Sequence, residues 1–137
     1  MLGFAVSFLV VLLAVGVHYE GLRLCSRLLL QMPPQRFSVA LAIVGALIAH
    51  MVEIFVFAMA IALMVGAGMG ALEPPNYHFI DLMYFSTVSY TSLGVGDVVP
   101  LGDMRQLASL EALTGLVMIA WTASFSFFQM QHFWQGK

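Results

Sequence analysis

The run Thr91-Ser92-Leu93-Gly94-Val95-Gly96-Asp97 is where residue types and spacing in this chain point to chemistry, and the groups that would perform it are backbone carbonyls. Glycines at alternate positions admit backbone angles closed to other residues, so successive C=O groups can turn toward one axis. Stacked rings of such carbonyls replace the water shell of a dehydrated cation, and a Ser or Thr hydroxyl adds a ring at the inner end. The other polar groups stand alone in apolar surroundings. Glu111 falls early in a long apolar segment, at the expected depth of the short helix before the glycine run, and a carboxyl away from water is a functional candidate by default. It is either protonated or accepts hydrogen bonds from Ser or Tyr hydroxyls. His50 and Glu53, three apart, share a helix face and suit a polar contact or, through the imidazole, a pH response. Thr114, Met118, Thr122 and Ser126 recur every fourth residue. Such a stripe either lines a water-filled cavity or lets helices pack closely. His78 and His132 have no cluster around them. Cys25 is the single cysteine, so there is no intrachain disulfide and no Cys/His metal site. No nucleophile–base pair suggests an enzyme.

The elements that must hold these residues are membrane elements. Of 137 residues, 61% are hydrophobic and 9% charged, against about 25% charged in soluble domains. The solvent is therefore lipid, and the fold class is an all-α membrane protein. A formal net charge of -2 gives no reason to expect a nucleic-acid partner. Met1 to Val17 reads as a retained first span, since a secretory leader would begin with positive charge. From His18 to Met32, Glu20, Arg23 and Arg27 share one face of an amphipathic helix, which either extends the first span or lies on the membrane surface; Pro33-Pro34 ends it. A second span covers 37–69 and a third 106–130, followed by Phe133 and Trp134 as interface aromatics. Between them the Ser- and Thr-rich segment 79–91 is helical in pattern, but at about 20 Å it is too short to cross. The glycine run after it has irregular backbone, which is tolerated at membrane depth only inside protein or beside water. A half-helix followed by such a run describes a re-entrant loop. Its negative helix end would favour a cation.

Arg23, Arg27 and Arg36 lie between the first two spans and Lys137 at the end, whereas Glu73, Asp81, Asp97 and Asp103 outnumber Arg105 in the next loop. The positive-inside rule then puts the C-terminus in the cytoplasm, with the N-terminus and the re-entrant loop outside, in a multi-pass protein of the cell membrane.

With these residues in place, the chain resembles the potassium-channel pore-loop family, whose signature is a Thr-rich half-helix followed by T-x-G-[YF]-G-D. The match covers roughly residues 79–130. The resemblance implies a passive potassium-selective channel, with K+ as permeant ion and no cofactor. Ser92, Leu93, Gly94, Val95 and Gly96 would coordinate the ion, Asp97 would be the acid of the outer mouth, and Gly115 would stand where the family carries a flexible hinge glycine. Thr114, Met118, Thr122 and Ser126 would line the cavity, with Glu111 and Tyr84 supporting the filter from behind. One filter strand per chain cannot encircle an ion, so the resemblance implies a homotetramer in the bilayer. It divides the chain into 1–36, an N-terminal addition, and 37–137, the pore domain. Two departures stand out: Ser92 replaces the usual Thr, and Val95 replaces the aromatic residue that normally braces the filter. Valine leaves that space to neighbours such as Tyr84 or Phe85. A weakly selective cation pore and a non-conducting scaffold are the alternative readings.

Overall fold

The computed structural model describes residues 2–30 and 36–134. Four helices and one short two-stranded ladder follow in the order α1 (Leu2–Leu30), α2 (Arg36–Gly66), β1 (Gly70–Glu73), α3 (Phe79–Tyr90), β2 (Val99–Gly102) and α4 (Met104–Trp134). Segments Leu2–Leu29, Phe37–Gly66 and Met104–Gln131 are long and apolar enough to cross a bilayer. The protein is thus an all-α, multi-pass membrane chain with a fourth, half-length helix.

The first span and the amphipathic segment are one helix of 29 residues, so the alternative in which 18–32 lies on the surface does not hold. Continuity puts His18 in the helix interior, where it is fully buried. The Pro33-Pro34 break lies outside the described residues, as do the side chains of Phe133, Trp134 and His132. The second helix ends at Gly66, three residues before the expected limit. Gly68, at φ 70, turns the chain there, a conformation glycine adopts without steric cost.

The ladder β1–β2 was not foreseen. It is antiparallel, with Gly70 opposite Gly102 and Glu73 opposite Val99. It ties the end of α2 to the start of α4 across the base of the re-entrant segment. A Cβ on Gly70 would lie 2.4 Å from the Leu101 carbonyl oxygen, so only glycine permits this approach.

The helix α3 forms because its N-terminus is capped: the His78 backbone N–H donates to Asp81 Oδ2 at 2.7 Å. Asp81 also sits in the first turn, where the helix dipole favours an acid. Leu82, Phe85, Ser86, Val88 and Tyr90 are its buried residues. Leu82, Phe85 and Tyr90 pack into a core with Ile54, Phe57, Ile61 and Met64 of α2, Met104, Leu107 and Met118 of α4, and Ala14 of α1. The core therefore sits around the pore-loop end, where the half-helix wedges between the spans. At that end a Cβ on Gly3 would fall 2.1 Å from Asp103 Oδ2. At the other, Gln129 Nε2 donates to Ser26 Oγ at 3.0 Å. The start of α1 and the re-entrant loop accordingly share one side of the bundle.

Candidate functional site

Helix α3 hands its last carbonyls directly to the glycine run. The Thr91 N–H donates to Thr87 O at 3.1 Å, the Ser92 N–H to Ser89 O at 2.9 Å, and the Leu93 N–H to Val88 O at 3.0 Å. The chain leaves the helix end already turned. Ser92 (φ 58), Gly94 (φ 58) and Gly96 (φ 84) then occupy the left-handed region at every second position. Alternation of this kind allows successive carbonyls to turn to one side of the chain. Two of the three positions are glycine, the residue that takes this conformation readily; Ser92 takes it against its own preference. In the single chain, residues 91–97 are all exposed. A Cβ on Gly94 or Gly96 would meet nothing within 4 Å, so the requirement for glycine there is conformational and not spatial.

Two sets of polar groups lie near the run. Toward Asp97, Tyr84 lines the same cavity as that carboxyl, and interaction with the Asp97 carboxylate holds the phenol above its ordinary range. Deeper, Ser86 on α3 links α2 to α4 by bonding both the Ile54 carbonyl, at 2.9 Å, and Glu111 Oε1. Glu111 is fully buried and its Oε2 has no partner among the described residues. The expected contact between Glu111 and a hydroxyl of the half-helix is therefore present, and it reaches α3 and not Asp97. Tyr84 and Phe85, with Val88, Ser89 and Val98, line a cavity of about 200 Å³ against Gly94, Gly96 and Asp97, while the Val95 side chain is exposed. A larger open groove of about 670 Å³ runs along the other flank, lined by Ser92, Gly94, Pro100, Arg105, Ser109 and Ala112 among others.

Two features of α4 become visible. The stripe Thr114, Met118, Thr122, Ser126 faces into the protomer. Thr114 and Met118 are buried, Met118 within the core, and Thr122 Oγ1 is 2.9 Å from His50 Nε2. Ser126 is half-buried. The small and polar side chains serve helix contact, and the open face of α4 carries Leu116, Val117, Ala120, Ala123 and Phe127 instead. Gly115 lies within continuous helix, and a Cβ there would be 1.9 Å from the Tyr90 carbonyl oxygen. The visible reason for this glycine is the seating of the half-helix on α4.

His50 and Glu53 do meet, with His50 Nδ1 3.6 Å from Glu53 Oε2, but they belong to a larger cluster. His18 Nδ1 is 2.8 Å from Glu53 Oε1. Tyr90, the last residue of α3, donates its hydroxyl proton to Glu53 Oε2 and lies 2.9 Å from His50 Nδ1. His18 and Tyr90 were missed because His18 was read as lying beyond the first span. An imidazole directly after the uncharged stretch 1–17 and before the charged turns of the same 29-residue helix is the signal that would have found it. The donor and acceptor atoms of His18, His50 and Glu53 lie within 4.8 Å of one another, and each is engaged by a neighbouring side chain.

No curated protein and no solved structure matches the chain. A family model described as "Ion channel" matches residues 49–131, which takes in most of α2, the half-helix, the glycine run and nearly all of α4. The capped half-helix, the left-handed alternation at its end and this match over more than half the sequence together make the chain a member of that ion channel family.

Proposed function

We propose that the protein is a potassium-selective channel in which copies of Ser92–Gly96 from a homotetramer form the ion-coordinating rings. The observation that carries this reading is the alternation of left-handed residues at Ser92, Gly94 and Gly96 directly after the C-terminal end of α3. That backbone can aim successive carbonyls at one axis, while the helix end adds negative potential on the inner side. The exposure of the run in a single chain accords with partners completing the site. Charge bias puts the start of α1 and the re-entrant loop on the outer side. The shared side of Gly3 and Asp103 is consistent with that orientation.

A weakly selective monovalent cation pore is the second reading. It is favoured by the cavity of about 200 Å³ behind Gly94 and Gly96, which leaves the filter less firmly backed than an aromatic residue would. Both readings are decided in liposomes holding the purified chain. A potassium-to-sodium permeability ratio well above one, from the reversal potential, supports the first. A ratio near one replaces it with the second, and absence of flux from an assembled oligomer removes both.

A further inference from the structure

The polar cluster between the spans closes on itself. Its links are His18 Nδ1 to Glu53 Oε1 (2.8 Å), Glu53 Oε2 to the Tyr90 hydroxyl, that hydroxyl to His50 Nδ1 (2.9 Å), His50 Nε2 to Thr122 Oγ1 (2.9 Å) and Thr122 Oγ1 to His18 Nε2 (3.5 Å). One side chain comes from α1, two from α2, and one each from α3 and α4. His18, Glu53, His50 and Tyr90 are buried, and Thr122 is half-buried.

Counting protons around the ring identifies its state. With Glu53 ionised and both imidazoles neutral, His18, His50, Tyr90 and Thr122 each bring a single hydrogen for bonding. Those hydrogens satisfy every link but one. His18 Nδ1–H and the Tyr90 hydroxyl donate to the carboxylate, His50 Nδ1–H donates to the Tyr90 oxygen, and the Thr122 hydroxyl donates to His50 Nε2. Two lone pairs then face each other between Thr122 Oγ1 and His18 Nε2, and that link is the long one, at 3.5 Å. In this state the ring also holds one uncompensated negative charge in a low-dielectric interior, where such a charge is costly. One more hydrogen on His18 Nε2 completes the last link and makes the ring neutral.

We propose that the ring is a binding site for a single proton from the aqueous phase, taken up at His18 Nε2, and that this proton ties α1 to α4 through Thr122. The titratable groups that face His18 are Glu53 and His50 on α2, with Tyr90 on α3 next to them. From α4 come the Thr122 hydroxyl and the ring of Trp121, whose centre is 5.2 Å from that of His18. Glu111 on α4 bonds Ser86 on α3 and no member of the ring. Thr122 forms the half-buried edge of the ring. Tyr90 is the last residue of the half-helix, and its carbonyl seats on Gly115. The site therefore joins the position of α4 to the base of the glycine run. The inference rests on the ring alone and not on which cation the channel selects.

The test is nitrogen-15 NMR of histidine-labelled full-length protein in lipid bilayers, titrated from about pH 9 to about pH 4, a range that brackets the usual imidazole. His18 Nε2 is expected to pass in one step from a bare to a protonated nitrogen, with both nitrogens of His50 unchanged. Thr122→Val removes the acceptor and should weaken proton binding about tenfold, moving the step down by about one pH unit, and Thr122→Ser should restore it. The titration of the unmodified chain decides the site even if the valine variant does not fold. A His18 Nε2 that is bare or protonated throughout, a proton that lands on His50, or a step that Thr122→Val leaves in place overturns the proposal. Ion flux plays no part in this readout, so a failure of the channel reading would be seen separately.

Discussion

At the scale of single residues, the requirement for glycine has two different origins, and they predict different losses. Gly94 has open space around its missing side chain but a φ of 58. Gly94→Ala should leave the fold and the oligomer intact and abolish conduction, because the added Cβ opposes the backbone angle that aims the carbonyl. Potassium-driven flux beside a mass measurement of the complex checks this. Undiminished flux in an assembled mutant would mean that residues 92–96 are not the conduction site. Glu111 is decided by a hydrogen count. Ser86 has one hydroxyl proton, and the Ile54 carbonyl at 2.9 Å can only accept. If Ser86 satisfies Ile54, the proton in the Ser86–Glu111 bond comes from Glu111. Glu111→Gln supplies an N–H in its place and should keep flux and thermal stability near those of the parent. Glu111→Ala should cost roughly 1–3 kcal/mol through the stranded hydroxyl, read as a lowered unfolding temperature. Equal losses in the two variants would show that the carboxyl acts as an ion. The glycine run and its acid were legible in the sequence because their meaning is local. The partners of Glu53 were not, because which histidine it meets depends on the rotation of one helix against another.

At the scale of elements, the fit between α3 and α4 rests on Gly115. Gly115→Ala places a carbon 1.9 Å from the Tyr90 carbonyl oxygen, a clash with backbone that no rotamer can relieve. It should destabilise the protomer by about 1–3 kcal/mol and disturb Tyr90, hence the ring. A flexible-hinge role instead predicts normal stability with altered opening, so thermal unfolding of the purified variant separates the two. The spans themselves were readable from apolar length alone. Their faces were not, because helices apolar on every side carry no directional signal, and the four-residue stripe on α4 fitted a cavity and a helix contact equally well. The ladder β1–β2 was hidden for another reason. Gly70-Ala-Leu-Glu73 and Val99-Pro-Leu-Gly102 contain one β-branched residue between them, and their pairing spans the whole re-entrant segment.

At the scale of the whole molecule, the exposed glycine run, the open groove of about 670 Å³ beside it and the exposed face of α4 describe a protomer with one flank unfinished. A homotetramer is expected in mild detergent, and a stable monomer or dimer by native mass spectrometry would remove the pore reading. The Val95 side chain bears on the proposed selectivity. Val95 is exposed in the single chain, so Val95→Tyr should be accommodated and, by bracing the run against its surroundings, should raise the potassium-to-sodium permeability ratio. A fall in that ratio would mean that neighbouring chains already fill the space. The ladder β1–β2 has a last consequence, for the order of folding. Pairing Gly70–Glu73 with Val99–Gly102 fixes both ends of the intervening loop using contacts within one chain. Loop-closure entropy grows only as the logarithm of length, about 0.6 kcal/mol per doubling, so the clamp can form around a loop whose tip is still unstructured. Each chain can then insert and close this staple alone, and in the proposed tetramer residues 91–97 order last, when the neighbouring copies arrive.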